Sequence, residues 1–226
     1  MSERPEPTLR VHNVSKSFGA NFSLQDVTFD VYPGEMVGLI GPNGAGKTTL
    51  LECVAGVLPR DSGTIEGKLF YMPDAIAPWP EQPVAWVMRY FVNFFAGHRE
   101  MFDALTRDLR LEMLLPLRIR ALSKGQRKRF LLALALLAPH TVVLIDEPFD
   151  GLDLRQARET EAVLRKYLTP DRALLLSIHQ ISDAARICDR FLLLSAGKLV
   201  ASGTLAELNA QAHMQSTLED AFLALA

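Results

Sequence analysis

Met36-Val37-Gly38-Leu39-Ile40-Gly41-Pro42-Asn43-Gly44-Ala45-Gly46-Lys47-Thr48-Thr49 is the stretch on which the reading of the chain turns. Its first five residues are a short, almost continuous apolar run, the kind that forms a strand buried on both faces. From Lys47 to Val57 apolar residues recur at helical spacing. Between the two lies a loop built on Gly41, Gly44 and Gly46 and ending in Lys47-Thr48. Strand, glycine-rich loop and helix in this order match the phosphate-binding loop pattern in full. Glycines let the backbone curl so that successive N–H groups point inward as an anion nest. The helix that starts near Lys47 adds the positive end of its dipole. Gly41, Pro42, Asn43, Gly44, Ala45, Gly46, Lys47, Thr48 and Thr49 are therefore candidate nucleotide ligands. Lys47 offers a point charge to β- and γ-phosphates, and the Thr48 hydroxyl is a candidate Mg²⁺ ligand. A glycine turn that binds nothing would not need a strand before it and a helix behind it.

Working outward, Val142-Val143-Leu144-Ile145-Asp146-Glu147-Pro148 is the second informative segment. Apolar strand residues deliver two adjacent carboxylates to the carboxyl edge of a sheet, where open α/β sheets bind ligands. Asp146 is a candidate for holding Mg²⁺ and Glu147 for orienting or deprotonating an attacking water. An acidic pair after a strand, taken alone, is also an ordinary helix start.

Around these two segments the chain alternates short apolar strands with helices. Strands are expected at 9–14, 22–31, 36–40, 68–72, 141–145, 173–178 and 190–194, with a hairpin through Gly197. Asp61-Ser62-Gly63 reads as a hairpin-like turn. Residues 86–115 are helical in pattern and rich in aromatics, and a long helix follows Ser123 up to Ala138-Pro139. This alternation implies a mainly parallel sheet. The fold expected is α/β, a P-loop NTPase core with an antiparallel β flank and an inserted helical subdomain. It is read as one domain over 1–226, with the helical insertion at about 75–138 and C-terminal helices at 204–226, near Leu205 and Leu218.

Composition fits a globular protein with a real core: 226 residues, 49% hydrophobic and 22% charged. A net charge of −2 gives no global basic excess, so nucleic acid is not an expected partner. The residues from Met1 to Pro7 lack the apolar core of a signal peptide. The longest apolar run, Phe130 to Ala138, falls far short of the ~20 residues that cross a bilayer. Two cysteines, Cys53 and Cys188, form no disulfide framework or metal spacing, and read as reduced, buried thiols of a cytoplasmic protein.

Leu122-Ser123-Lys124-Gly125-Gln126 joins the two segments above, and with it the sequence resembles an ATP-binding cassette (ABC) ATPase from about Leu9 to the final helix. Ser123 is a good helix N-cap and Gly125 permits close backbone approach, so a phosphate at this helix start is physically sensible. The resemblance implies that Ser123, Gly125 and Gln126 cap ATP bound to a second copy of the domain. It places Phe18 where an aromatic stacks on adenine, Asp153 of Gly151-Leu152-Asp153 in the loop linking two active sites, and His179 where a histidine senses the γ-phosphate. Lys47, Glu147 and His179 are then the catalytic set, and Thr48 and Asp146 the Mg²⁺ ligands. Two departures stand out. Asp74 follows Tyr71-Met72-Pro73 where such proteins usually carry Gln; it either ligates Mg²⁺, adding negative charge near Glu147, or points elsewhere. Lys124 stands where many relatives have Gly, and its side chain is expected to point outward.

The aromatics Trp79, Trp86, Tyr90, Phe91, Phe94 and Phe95 are spaced for one side of a helix. They read either as core of the helical lobe or as a partly exposed groove for a helix of a membrane subunit. Arg118, Arg120, Lys124, Arg127, Lys128 and Arg129 read as a solvated basic face. The function implied by resemblance is that of an ATP-hydrolysing subunit working with Mg²⁺. It couples closure of a homodimer or heterodimer of ATPase domains to substrate movement by a separate transmembrane permease subunit. Residues 218–223 and the Leu122-Ser123 segment look like those of bacterial exporters, and no regulatory domain follows, so export is expected. The chain would then sit in the cytoplasm, peripheral on the inner face of the membrane. The alternative is a soluble ABC ATPase of a non-transport assembly such as iron–sulfur cluster biogenesis. A third reading, a regulatory module that switches without turnover, is opposed by an intact Glu147.

Overall fold

Leu9, Val11 and Val14 of strand β1 (Leu9–Phe18) are buried while Arg10 and His12 are exposed, the period-two pattern of a strand with one face on a core. β1 pairs antiparallel with β2 (Asn21–Val31) on one side and β4 (Ser62–Glu66) on the other. In contrast, β3 (Met36–Ile40), β6 (Val142–Asp146) and β7 (Ala173–Ile178) are buried at every residue. They belong to a second, six-stranded sheet with β5 (Leu69–Met72), β8 (Arg190–Ser195) and β9 (Lys198–Gly203), in the order β5-β6-β7-β3-β8-β9. The pairs β6/β7, β7/β3 and β3/β8 are parallel, and β8/β9 is an antiparallel hairpin. Unbroken burial is what parallel strands covered on both faces require. This computed structural model describes residues 5–19, 21–74, 76–95, 99–213 and 215–225, so part of the 75–138 and 204–226 expectations lies outside the described residues.

The chain divides into two compact units. The first comprises Met1–Tyr71, Thr141–Asp146 and Leu168–Ala226. Its core includes Leu9, Val27, Leu39, Leu50, Leu144, Leu175 and Leu192, drawn from both sheets and from α1 (Lys47–Val54). Helices α6 (Ile181–Ile187), α7 (Leu205–Gln211) and α8 (Leu218–Leu225) complete it.

The second unit comprises Met72–His140 and Glu147–Tyr167. It is helical: α2 (Val84–Phe94), α3 (Arg99–Asp108), α4 (Lys124–Leu137) and α5 (Leu154–Tyr167), with 3₁₀ turns at Glu112–Leu114 and Ile119–Ala121. It takes in residues 75–138 and also Glu147–Tyr167, which the sequence reading leaves in the α/β core. α2, α3 and α4 pack on one another, and Phe130–Leu137 of α4 is buried throughout. α5 is tied to α3 by Lys166 and Tyr167, which donate to Asp108 at 2.6 and 2.8 Å.

Two sequence expectations need correcting and one is decided between its alternatives. Ser62-Gly63 opens β4 instead of forming a hairpin turn; Gly63 has φ 91°, and a Cβ there would lie 2.5 Å from the Asn13 carbonyl oxygen. Of the two readings of the aromatics, the exposed one holds for Trp79, before α2, and for Trp86, Tyr90 and Phe94 on it, which are 44, 44, 42 and 66% exposed; Phe91 and Phe95 are half-buried, and Val84, Val87, Met88 and Val92 fill the buried face. The basic residues 118–129 do not form one solvated face. Lys128 is 2% exposed, Arg118 and Arg120 pair with Glu81, and Arg129 donates to the Leu109 carbonyl. Cys53 and Cys188 are buried and not joined in a disulfide, with burial pushing the Cys53 thiol up. Among the described residues no helix is long and apolar enough to cross a membrane.

Candidate nucleotide site

Parallel register brings three sequence-predicted positions to one sheet edge of the first unit. Ile40 aligns with Ile178 and Asp146 with Ser177, so the loop beginning at Gly41, the Asp146 carboxylate and His179 all follow the carboxyl ends of neighbouring strands. That edge is where open α/β sheets take ligands. The loop has little freedom to be anything else. A Cβ on Gly41 would meet the Leu194 carbonyl oxygen at 2.2 Å, and one on Gly46, at φ 103°, would meet that of Ser23 at 2.7 Å. Pro42, Asn43 and Gly44 are exposed, Gly44 with φ 80°, whereas Ala45 is 3% exposed. The Gly197 amide donates to the Ala45 carbonyl at 3.0 Å and pins the loop from the β8–β9 hairpin.

Gly46 is the N-cap of α1 and offers the helix no side-chain cap. Lys47 is 6% exposed, and its ammonium donates to the carbonyls of Gly41 at 2.6 Å and Pro42 at 3.1 Å. The exposed Thr48 hydroxyl donates to Asp146 Oδ2 at 3.1 Å, and Ser177 donates to Asp146 Oδ1. Asp146 is 3% exposed, so these contacts hold a buried carboxylate at the strand end. Ser177 has no signal in a linear reading; the β6/β7 register alone places it beside Asp146. Thr49 is half-buried in α1, and His179 is exposed. Thr48 and Asp146 are oxygen donors side by side, the donor type a hard divalent cation takes.

Phe18 ends β1 and is 54% exposed, with the Lys16 ammonium 5.5 Å from its ring centroid. The strand end is held by Asp61, which accepts from the Ser17 amide at 2.7 Å, the Ser17 hydroxyl at 2.6 Å and Lys16 at 3.1 Å. Those Ser17 and Lys16 hydrogen bonds lower the Asp61 carboxyl to about 2.

The second unit carries the remaining positions. Glu147 is half-buried, with φ 51°. Its carboxylate shares a cluster with Asp74 and Asp150, one oxygen of each lying within 4.8 Å of the others. Two lysines of α4 enter that cluster: Lys128 donates to Asp74 Oδ1, and Lys124 lies 2.5 Å from Asp150 Oδ2. The Asp150 hydrogen bond, with the charges of Asp150, Asp74 and Glu147 behind it, raises the Lys124 ammonium above its ordinary value. Lys124 is exposed, as expected, but also covers Gly151, where a Cβ would lie 2.7 Å from Lys124 Cγ. Asp74 is thus brought together with Glu147 and engaged by a lysine.

Ser123 caps α4 through a reciprocal pair: its hydroxyl accepts from the Gln126 amide at 3.3 Å, and Gln126 Oε1 accepts from the Ser123 amide at 2.9 Å. A Cβ on Gly125 would meet the Gly151 carbonyl oxygen at 2.8 Å, so the α4 start packs against the loop before α5. Asp153 accepts from the Gln156 amide at 2.8 Å at the head of α5.

A glycine loop closed over a buried lysine at the carboxyl end of a parallel strand defines a P-loop nucleotide-binding protein. The chain belongs to the ABC transporter family, whose sequence pattern it matches over residues 24–150. It is 31% identical over 209 residues to an uncharacterized ABC transporter ATP-binding protein of Methanocaldococcus jannaschii, covering 90% of this chain and 80% of that protein. It is 32% identical over 217 residues to the Nod factor export ATP-binding protein I of Paraburkholderia xenovorans, covering 88% and 71%. With the lipopolysaccharide export system ATP-binding protein LptB of Escherichia coli it shares 29% over 229 residues, covering 92% and 95%. A solved ATP-binding subunit of an ABC transporter superposes with a TM-score of 0.89 at 28% identity, over 96% of this chain and 99% of that one. The chain is an ATP-binding subunit of this transporter class.

Proposed function

We propose that the chain hydrolyses ATP to ADP and phosphate and that two ATPase domains, identical or paired with a relative, close on ATP to drive export by a separate membrane subunit. The observation that carries this reading is Lys47, buried and held over the loop carbonyls beside the Thr48–Asp146 pair. The loop amides and Lys47 receive the β- and γ-phosphates, and Phe18 takes the adenine face. Thr48 and Asp146 would hold Mg²⁺, which supplies charge neutralisation at the phosphate oxygens when bound. Glu147 accepts the proton of the attacking water, and His179 contacts the γ-phosphate. The Ser123 segment, with its exposed start, serves the nucleotide of the other copy. Contacts that exist only with the γ-phosphate favour the closed state, and hydrolysis removes them.

Two relatives named for export support the direction. The exposed aromatic face of α2 supports a peripheral position on the cytoplasmic side of a membrane, docked on the permease. Glu147→Gln is expected to slow steady-state ATP hydrolysis by ~10²–10⁴-fold with ATP binding retained; turnover near that of the native chain would sink the assignment. The same variant, tagged and trapped with Mg-ATP, is expected to co-purify a multi-span protein from detergent-solubilised membranes. A soluble partner instead would favour a non-transport assembly.

A further inference from the structure

Among the described residues of the second unit, Lys128 is the most buried charged side chain that the proposed chemistry does not use: it is 2% exposed and donates to Asp74, itself 29% exposed. A lysine is rarely placed so deep without a partner that offsets its desolvation, and removing one member of a buried pair costs far more than removing both. The pair is also long-range, 54 residues apart, and so ties the loop after β5 to α4. Lys124 and Lys128 stand one helical turn apart on α4 and meet Asp150 and Asp74 respectively. Glu147 shares the cluster with both acids. Three carboxylates this close would repel one another; two lysines interleaved with them remove most of that repulsion.

We propose that Asp74 and Lys128 are a matched pair in which Lys128 is a positioning residue for Asp74. The pair holds the Pro73-Asp74 segment beside Glu147 and cancels the charge that Asp74 would otherwise add there. This inference rests on the proposed ATPase reading for its kinetic consequence. It assigns Asp74 to the lysine rather than to a metal ion. It also makes the Asp74 segment and the Ser123 segment move as one, because both are fastened to the same helix.

The test is a four-member set: the native chain, Asp74→Asn, Lys128→Met, and the double variant, which swaps both charges for neutral groups of similar size. Melting temperature, kcat and KM for ATP, and the Mg²⁺ concentration for half-activity are measured below the melting point of every member. Each single variant is expected to melt lower and to lose at least about tenfold in kcat with KM for ATP little changed, since removing one charge upsets the balance of the Glu147 cluster. The double variant is expected to recover both melting temperature and kcat to within about threefold of the native chain. Half-activity Mg²⁺ is expected to be unchanged in all four.

Additive losses in the double variant would overturn the pairing. Singles that melt lower yet keep native kcat would reduce it to a structural contact and overturn the positioning role. A shift in Mg²⁺ dependence confined to the variants at 74 would return Asp74 to the metal. The melting arm reads the pair without turnover, so an inactive native chain would count against the ATPase reading and not against the pairing.

Discussion

At position 41 a single methyl group has nowhere to go. The Cβ of an alanine there would sit 2.2 Å from the Leu194 carbonyl oxygen, whereas at Gly44 nothing lies within 4 Å and only the φ of 80° opposes a side chain. Gly41→Ala is therefore expected to cost about 1–3 kcal/mol or more through backbone displacement, and Gly44→Ala about 1 kcal/mol through its left-handed conformation. Urea unfolding of both variants checks the order; equal costs would mean that the loop relaxes freely. The loop residues were legible because the phosphate-loop chemistry is local, written in consecutive positions 41–48. Ser123 as an N-cap was legible for the same reason, since capping acts over three residues. Lys128 opposite Asp74 was not. Nothing within a few residues of either marks the partnership, and a lysine in a run of basic residues reads as solvated until tertiary packing buries it.

At the scale of elements, β1 shows how a strand end is fixed by one carboxylate. Asp61 gathers the Ser17 amide, the Ser17 hydroxyl and Lys16, and is lowered to about 2 from an ordinary 3.8. A depressed carboxyl contributes stability that is fully present above its unfolded pKa of ~3.9 and is lost as pH falls through the folded value. Asp61→Asn is therefore expected to be less stable than the native chain above about pH 4, with the gap closing as pH falls towards about 2. A carbon-13 titration of the Asp61 carboxyl with a midpoint near 4 would remove this anchor. The neighbouring β4 was misread because a glycine after Asp-Ser is the ordinary signal of a turn. Here Gly63 instead lets β4 run against the Asn13 carbonyl of β1, a contact the local sequence does not announce. The α2 aromatics were ambiguous for a related reason: spacing says that residues share a side of a helix, not whether that side is covered.

For the whole molecule, the α/β alternation and the two sheets could be anticipated because strand period, apolar run length and turn residues agree along most of the chain. What could not be anticipated is that α5 belongs with the helical unit, an outcome of contacts such as Lys166 and Tyr167 with Asp108. A ligand that binds the folded chain alone must raise its melting temperature. At an ATP concentration of one hundred times Kd the gain is about 2.7 kcal/mol, or roughly 5–11 °C for a chain of this length. Glu147→Gln is expected to show that gain with Mg-ATP, and Lys47→Met to lose it, in differential scanning fluorimetry. An undiminished shift in Lys47→Met would move the phosphate contact away from the loop.

Glu147 occupies a left-handed backbone conformation, φ 51°, that a long side chain adopts at a cost of about 1–2 kcal/mol while glycine adopts it freely. The backbone conformation alone therefore disfavours glutamate at this position. After the ~0.5–1 kcal/mol that glycine forfeits in chain entropy, Glu147→Gly is expected to melt no lower than the native chain and up to about 6 °C higher, and a lower melting temperature would show the residue to be structural. If Glu147 serves turnover as proposed, its backbone strain is kept for that role, and a duplicate of this chain released from hydrolysis would drift to glycine or asparagine there while keeping its nucleotide loop.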